Sequence, residues 1–225
     1  MLLACWSVKG GSGTTVVSVA IASAFADASP TGALVVDLAG DVPAVVGLSE
    51  PQGPGVGGWL AAGSGVPADA LTRLEVAGPG RLRVLATGGA ESGGHEGAGA
   101  EVAVGRATVL AALLAADPRP VVVDCGATPG GAAAAVVAAA TTSLLVLRPC
   151  YLSLRRAQQL GVRASGIVLV GAGGRVLQPV DVEAALDVPV VASLDHDPQV
   201  ARLVDAGLLG HRVPRALRRS LRHVA

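Results

Sequence analysis

Short apolar runs that alternate with Ala-rich helical stretches constrain this chain more than any other feature. The runs are Leu2–Val8, Ala33–Val36, Leu82–Ala86, Val121–Val123, Leu144–Leu147, Ile167–Val170 and Val188–Leu194. Each is bounded by turn residues and apolar at successive positions, the pattern of strands buried on both faces in a parallel sheet. Between them the spacing predicts helices over Thr14–Ala28, Glu101–Ala116, Gly131–Ala140, Leu152–Ala164, Val180–Leu186 and Pro198–Ala206. Shorter helices are expected over Val56–Ala62 and from Pro67 to Leu71. The alternation argues for an α/β fold with a doubly wound, mainly parallel sheet in a single domain. The Gly-rich stretch Thr87–Ala100, which carries His95 and Glu96, reads as a mobile, solvated loop.

Composition narrows the class. Hydrophobic residues make up 51% of the 225 and aromatics only 2%, so the core must be built from Ala, Val and Leu. A chain of this length buries roughly 70–75% of its unfolded surface and needs no disulfide or metal staple. The three cysteines, Cys5, Cys125 and Cys150, have no paired spacing, which argues against both a disulfide framework and a zinc site. The formal net charge of +0 gives no general pull toward nucleic acid. No basic region precedes the first apolar run, and no long uncharged apolar stretch occurs, so neither a signal peptide nor a membrane span is expected. A cytoplasmic protein is expected.

The segment most informative about function is Lys9-Gly10-Gly11-Ser12-Gly13-Thr14-Thr15, set between the first strand and the first helix. Glycines there let backbone N–H groups curl around a phosphate, and the helix behind them adds the positive end of its dipole. A phosphate-binding loop ends Gly-Lys-Ser/Thr, with lysine on the β/γ-phosphates and the hydroxyl on Mg²⁺. Gly13 and Thr15 fit that ending, but Thr14 stands in the lysine slot and Val8 replaces the first glycine.

This loop resembles the deviant Walker A motif of the ParA/MinD ATPases, and the chain is most similar to their CpaE-like, septum-site-determining-like branch found beside actinobacterial Tad-pilus genes. Val35-Val36-Asp37-Leu38-Ala39-Gly40-Asp41-Val42-Pro43 resembles the switch I segment, and Val121-Val122-Val123-Asp124-Cys125-Gly126-Ala127-Thr128-Pro129 resembles Walker B with switch II. Arg148–Arg155 resembles the segment near the base pocket. The resemblance implies ATP or ADP with Mg²⁺ as ligand, held by Lys9, Gly10, Gly11, Ser12, Gly13, Thr14, Thr15 and Asp124. It implies Thr15, Asp37 and Asp124 around the Mg²⁺ if nucleotide binds, and a homodimer in which Lys9 reaches the partner's phosphates.

The departures set the functional expectation. The chain holds 16 Arg but one Lys, and that lysine stands at the dimer-signature position while the phosphate-clamping one is Thr14. A charge-assisted contact is worth about 1.5–3 kcal/mol, so this loss weakens ATP binding roughly 10- to 150-fold. The second switch I aspartate aligns with Ala39. Asp37 and Asp41 remain as weak catalytic candidates, Asp41 only if the backbone is shifted. A missing transition-state donor lowers a rate by about 10²–10³. Arg148 or Arg155 reaching the phosphates is the nearest rescue. Little or no hydrolysis is expected, and a site with no cofactor at all stays open. The resemblance implies a positioning or assembly factor at a Tad pilus, secretion apparatus or division site, acting by dimerisation and docking to a protein partner. The alternative is an ATP-binding switch with slow hydrolysis whose ATP-dependent dimer associates with membrane or DNA.

Residues 1–211 are read as the P-loop domain and 212–225 as a basic C-terminal helix or tail. There Leu217, Leu221 and Val224 share a face among Arg215, Arg218, Arg219 and Arg222. Such a helix suits docking on its own domain or a partner. Contact with anionic lipid at the inner face of the membrane, or with DNA phosphates, is the less favoured use. Cys125 reads as a small buried residue, and Asp197 before Pro198 as a helix cap beside His196.

Overall fold

The computed structural model describes residues 1–49, 51–62, 66–67, 69–89, 100–161 and 163–224, with 100–104 described in backbone only. Most of the Gly-rich loop, His95 and Glu96 included, lies outside the described residues. The strands are β1 (Leu2–Ser7), β2 (Ala33–Asp37), β3 (Val76–Ala77), β4 (Leu82–Leu85), β5 (Val121–Ala127), β6 (Thr142–Leu147), β7 (Gly166–Val170) and β8 (Val190–Leu194). They form one sheet in the order β3-β4-β2-β5-β1-β6-β7-β8. All described pairings are parallel except β3 with β4 at one edge.

The central strands are buried at every position of β1 and β2, as continuous apolar runs require. One face carries α1 (Thr14–Ala28), α2 (Val42–Val46), α9 (Pro198–Asp205) and α10 (Arg215–Leu221). The other carries α3 (Gly55–Ala61), α4 (Ala70–Arg73), α5 (Ala100–Ala116), α6 (Gly131–Ala139), α7 (Tyr151–Leu160) and α8 (Pro179–Leu186). Val, Leu and Ala fill both layers, while Trp6 is 1% exposed and its indole N–H donates to Ser143 Oγ at 2.9 Å, tying β1 to β6.

Two elements were not anticipated. β3 is only two residues long, and α2 is a Val-Pro-Ala-Val-Val run that looks extended by composition but starts with proline in its first turn. Helix α7 stops at Leu160, short of the expected Ala164, because Gly161 ends it.

The basic C-terminal helix packs on its own domain. Leu217 and Leu221 are buried against α1 and β8, and Arg218 Nη1 pairs with Asp27 Oδ2 at 2.7 Å. Arg215, Arg219 and Arg222 remain exposed. Asp197 caps α9 as its sequence context predicts, accepting from the Gln199 N–H at 2.8 Å. Among the described residues no helix is long and apolar enough to cross a membrane.

Candidate functional site

The sheet order reverses around β1, which lies between β5 and β6, and ligands of open α/β sheets sit beyond the carboxyl ends of strands at such a point. Three candidate segments converge there: the loop after β1, the end of β2 at Asp37, and the later half of β5, whose Asp124 stands opposite Asp37 in register.

The loop is held by its own hydroxyls. Ser7 Oγ donates to the Lys9 carbonyl at 3.0 Å, and Ser12 Oγ donates to the same oxygen at 2.9 Å. Gly11 and Gly13 take φ of 72° and 92°, a region closed to most side chains, and Gly13 delivers the chain into α1. Val17 is the first residue of α1 whose amide finds a backbone acceptor, Gly13 O at 3.0 Å. The amides of Thr14, Thr15 and Val16 meet no acceptor among the described contacts. They open into a cleft of about 530 Å³. Gly10 to Val16 form one side of it, Ala39, Asp41, Ala44 and Val45 a second, and Ser7, Gly126, Ala127 and Val204 complete it. Free amides at the start of a 15-residue helix make an anion site.

The aspartates take different roles. Asp37 is fully buried, and its carboxylate accepts from the amides of Ala39 (2.9 Å), Gly40 (2.6 Å) and Val42 (3.2 Å). It thereby shapes the loop into α2. Burial raises its pKa, opposed by those three amides. Asp124 is also fully buried, with Oδ1 accepting from Gly126 N–H at 3.1 Å while Oδ2 has no hydrogen-bond partner. Burial pushes its pKa up to about 6, against the pull of the Thr15 hydroxyl and the Gly126 amide. Asp41 instead is exposed and lines the cleft, and its carboxylate does not cap α2.

Gly126, at φ 64°, brings the β5 loop against the β2 loop, since a Cβ there would stand 3.1 Å from that of Ala39. Thr128 follows at φ 54°, a strained non-glycine conformation, and its amide donates to Ser7 O at 2.7 Å.

Lys9 does not line the cleft. Its charge is felt at Cys150, where burial pushes the thiol up but the Ser153 hydroxyl 3.1 Å away, the Ser153 amide and Lys9 together hold it below its usual value. Arg148 and Arg155 are exposed and absent from the cleft wall, so neither stands in for the missing lysine. Asp41 is the only charged side chain among the described residues that line the cleft. Sequence reasoning missed the apolar wall of Ala44, Val45 and Val204, and Ser7 as loop support. A serine ending a strand just before the loop was the one readable signal.

No family model matches the chain, and no curated protein matches it. Solved structures do. MinD from Pyrococcus horikoshii OT3, a septum site-determining protein complexed with Mg-ADP, superposes with TM-score 0.73 at 17% identity, covering 97% of this chain and 91% of that one. The chain has the ParA/MinD ATPase fold. A ParA family ATPase from Chlorobium tepidum TLS gives TM-score 0.76 at 19% identity, over 98% of this chain and 95% of that one. MinD in the MinC:MinD cell division complex of Aquifex aeolicus gives 0.71 at 17%, over 100% and 95%.

The residues present suit a Mg-nucleotide. Among the described residues no three His, Cys, Asp or Glu side chains converge on a metal. Mg²⁺ does not need such a cage, because it is bound through one or two protein oxygens, waters and the phosphates themselves. The orphaned Asp124 Oδ2 beside Thr15 is the kind of oxygen such an ion uses.

Proposed function

We propose that this chain is a nucleotide-binding protein of the ParA/MinD type that hydrolyses ATP little or not at all. It acts as a positioning or assembly factor through dimerisation and partner docking. One observation carries the reading: the cleft at the start of α1 offers free amides for phosphate, yet no lysine or arginine lines it among the described residues. Amides alone hold phosphate. Developing negative charge in a transition state needs further preorganised donors or cations, and here Thr14 and Ala39 supply none.

In this reading the amides of Thr14, Thr15 and Val16 bind phosphate oxygens. Thr15 and, through water, Asp124 face the Mg²⁺. A bound Mg-nucleotide supplies the cation that the protein wall lacks. Asp37 holds the loop before α2 rather than the ion, because its carboxylate already accepts three amides. Lys9 does not line its own cleft, which suits contact with a second copy or a protein partner. The CpaE-like resemblance supports a pilus, secretion or division apparatus as the setting. The complex of an Aquifex MinD with MinC supports a protein partner of this kind. The apolar stripe of α10 is already used inside the domain, which favours protein docking over insertion into lipid.

A second reading, the slow ATP-driven switch, is favoured by Asp41, the one carboxylate that lines the cleft. Mg-ATP titration, phosphate release and size measurement with and without nucleotide separate the two. Nucleotide binding without turnover supports the first reading. Turnover at ordinary rates, abolished by Asp124→Ala, or ATP-dependent dimerisation with measurable hydrolysis, supports the switch.

A further inference from the structure

The charge balance of the cleft goes further than the absence of turnover. Asp41 stands exposed on the cleft wall, its carbonyl accepting from the Val45 amide at 3.3 Å and its carboxylate in no hydrogen bond or ion pair among the described contacts. Two more carboxylates, Asp37 at the end of β2 and Asp124 within β5, lie buried side by side in register. Against these three, the described residues that line the cleft offer neutral donors and the partial positive charge of a helix terminus, about half an elementary charge. Thr14, where a lysine would sit, adds none. Every added negative charge on a ligand is therefore met by repulsion rather than by a cation. A divalent ion carried in with the ligand is the remaining source of positive charge.

We infer that the cleft selects a nucleoside diphosphate bound together with a divalent cation over the triphosphate, and that Asp41 sets this selectivity. The inference rests on the nucleotide-binding reading above and names its ligand class. It also accounts for an assembly factor that would not cycle: a site that retains the diphosphate has no ATP-dependent closed state to leave.

Calorimetric titration of the full chain with Mg-ADP and Mg-ATP, each repeated in EDTA, tests it on the wild type, Asp41→Asn and Thr14→Lys. The wild type is expected to bind Mg-ADP about 5-fold more tightly than Mg-ATP, the scale of one unit charge facing an exposed carboxylate across a water-like gap. EDTA is expected to abolish both. Asp41→Asn, an exposed substitution, is expected to bring the two within about 2-fold as that same repulsion is removed. Thr14→Lys, if a thermal melt shows it folded, is expected to reverse the order. ATP binding as tightly as ADP, or a ratio unmoved by Asp41→Asn, overturns the inference while leaving nucleotide binding in place. A preference for ATP that appears only in a dimer and vanishes in Lys9→Ala also overturns it, since the missing charge then comes from a second copy. Failure of both nucleotides to bind overturns the inference and the reading beneath it together.

Discussion

Replacing Asp124 by asparagine should make the ligand-free protein more stable at neutral pH. Asp124 is fully buried with Oδ2 unpartnered, and burial raises its pKa to about 6. An unfolded aspartate titrates near 4. Between those two values the folded state holds the proton and the unfolded state does not. Stability from this group is therefore complete below about pH 4 and is lost as pH rises through about 6. A shift of about two units corresponds to about 3 kcal/mol. That is a large share of the roughly 5–15 kcal/mol that holds a domain together. Urea unfolding of the wild type and Asp124→Asn in EDTA buffers from pH 4 to 8 reads this directly. The two should coincide near pH 4, and the variant should lead increasingly toward pH 7. At pH 7.5 the variant should melt some 6–12 °C higher, at about 2–4 °C per kcal/mol for this size. A variant less stable than wild type at pH 7.5 would falsify the argument, because the carboxylate would then be stabilised by contacts that outweigh its burial. With the prediction upheld, saturating Mg-ADP should stabilise the wild type more than the variant.

The other expectations are briefer. Asp37→Ala leaves three amides without their acceptor, of which the exposed Ala39 and Gly40 can turn to water and Val42 stays buried, so a loss of about 1–3 kcal/mol is expected in urea unfolding; a variant of unchanged stability that loses only nucleotide binding would return Asp37 to the ligand set. Leu221→Ala should destabilise by about 2–4 kcal/mol in thermal melts, while exposed Arg219→Ala stays within about 0.5 kcal/mol. Equal, small effects would mean that α10 does not pack on α1. Cys150 should be the first thiol alkylated by iodoacetamide, followed by peptide mapping, since burial pushes Cys5 up to about 12 and also raises Cys125. Lys9→Ala should slow the Cys150 reaction, and an unchanged rate would place the Lys9 charge elsewhere.

What was legible in the sequence was what depends on local pattern. Helix α1 runs over the expected Thr14–Ala28 and β2 ends on Asp37 where its apolar run stops, whereas β5 continues past Asp124 to Ala127. Helix α2 and strand β3 were illegible for opposite reasons: one is a β-branched run bent into a helix by its proline and its packing on α1 and α9, the other is too short to carry a period. The site divides the same way. Gly11, Gly13 and Thr15 were readable because a phosphate loop is a contiguous object. Asp37 as acceptor for nearby loop amides was readable as an alternative to a ligand role, but the Val204 wall was not, because it depends on where a distant helix is carried. Charge balance belongs to this second kind. Thr14 reads in sequence as one lost contact, which an arginine elsewhere is free to replace. The fold instead leaves Arg148, Arg155 and Lys9 off the cleft wall and brings Asp41 into the cleft. Among the described residues that line the cleft, no cation stands in for a lysine at position 14. The consequence is a site whose positive charge must arrive with its ligand or from another molecule, which makes metal dependence and assembly state the properties that most directly report what the protein does.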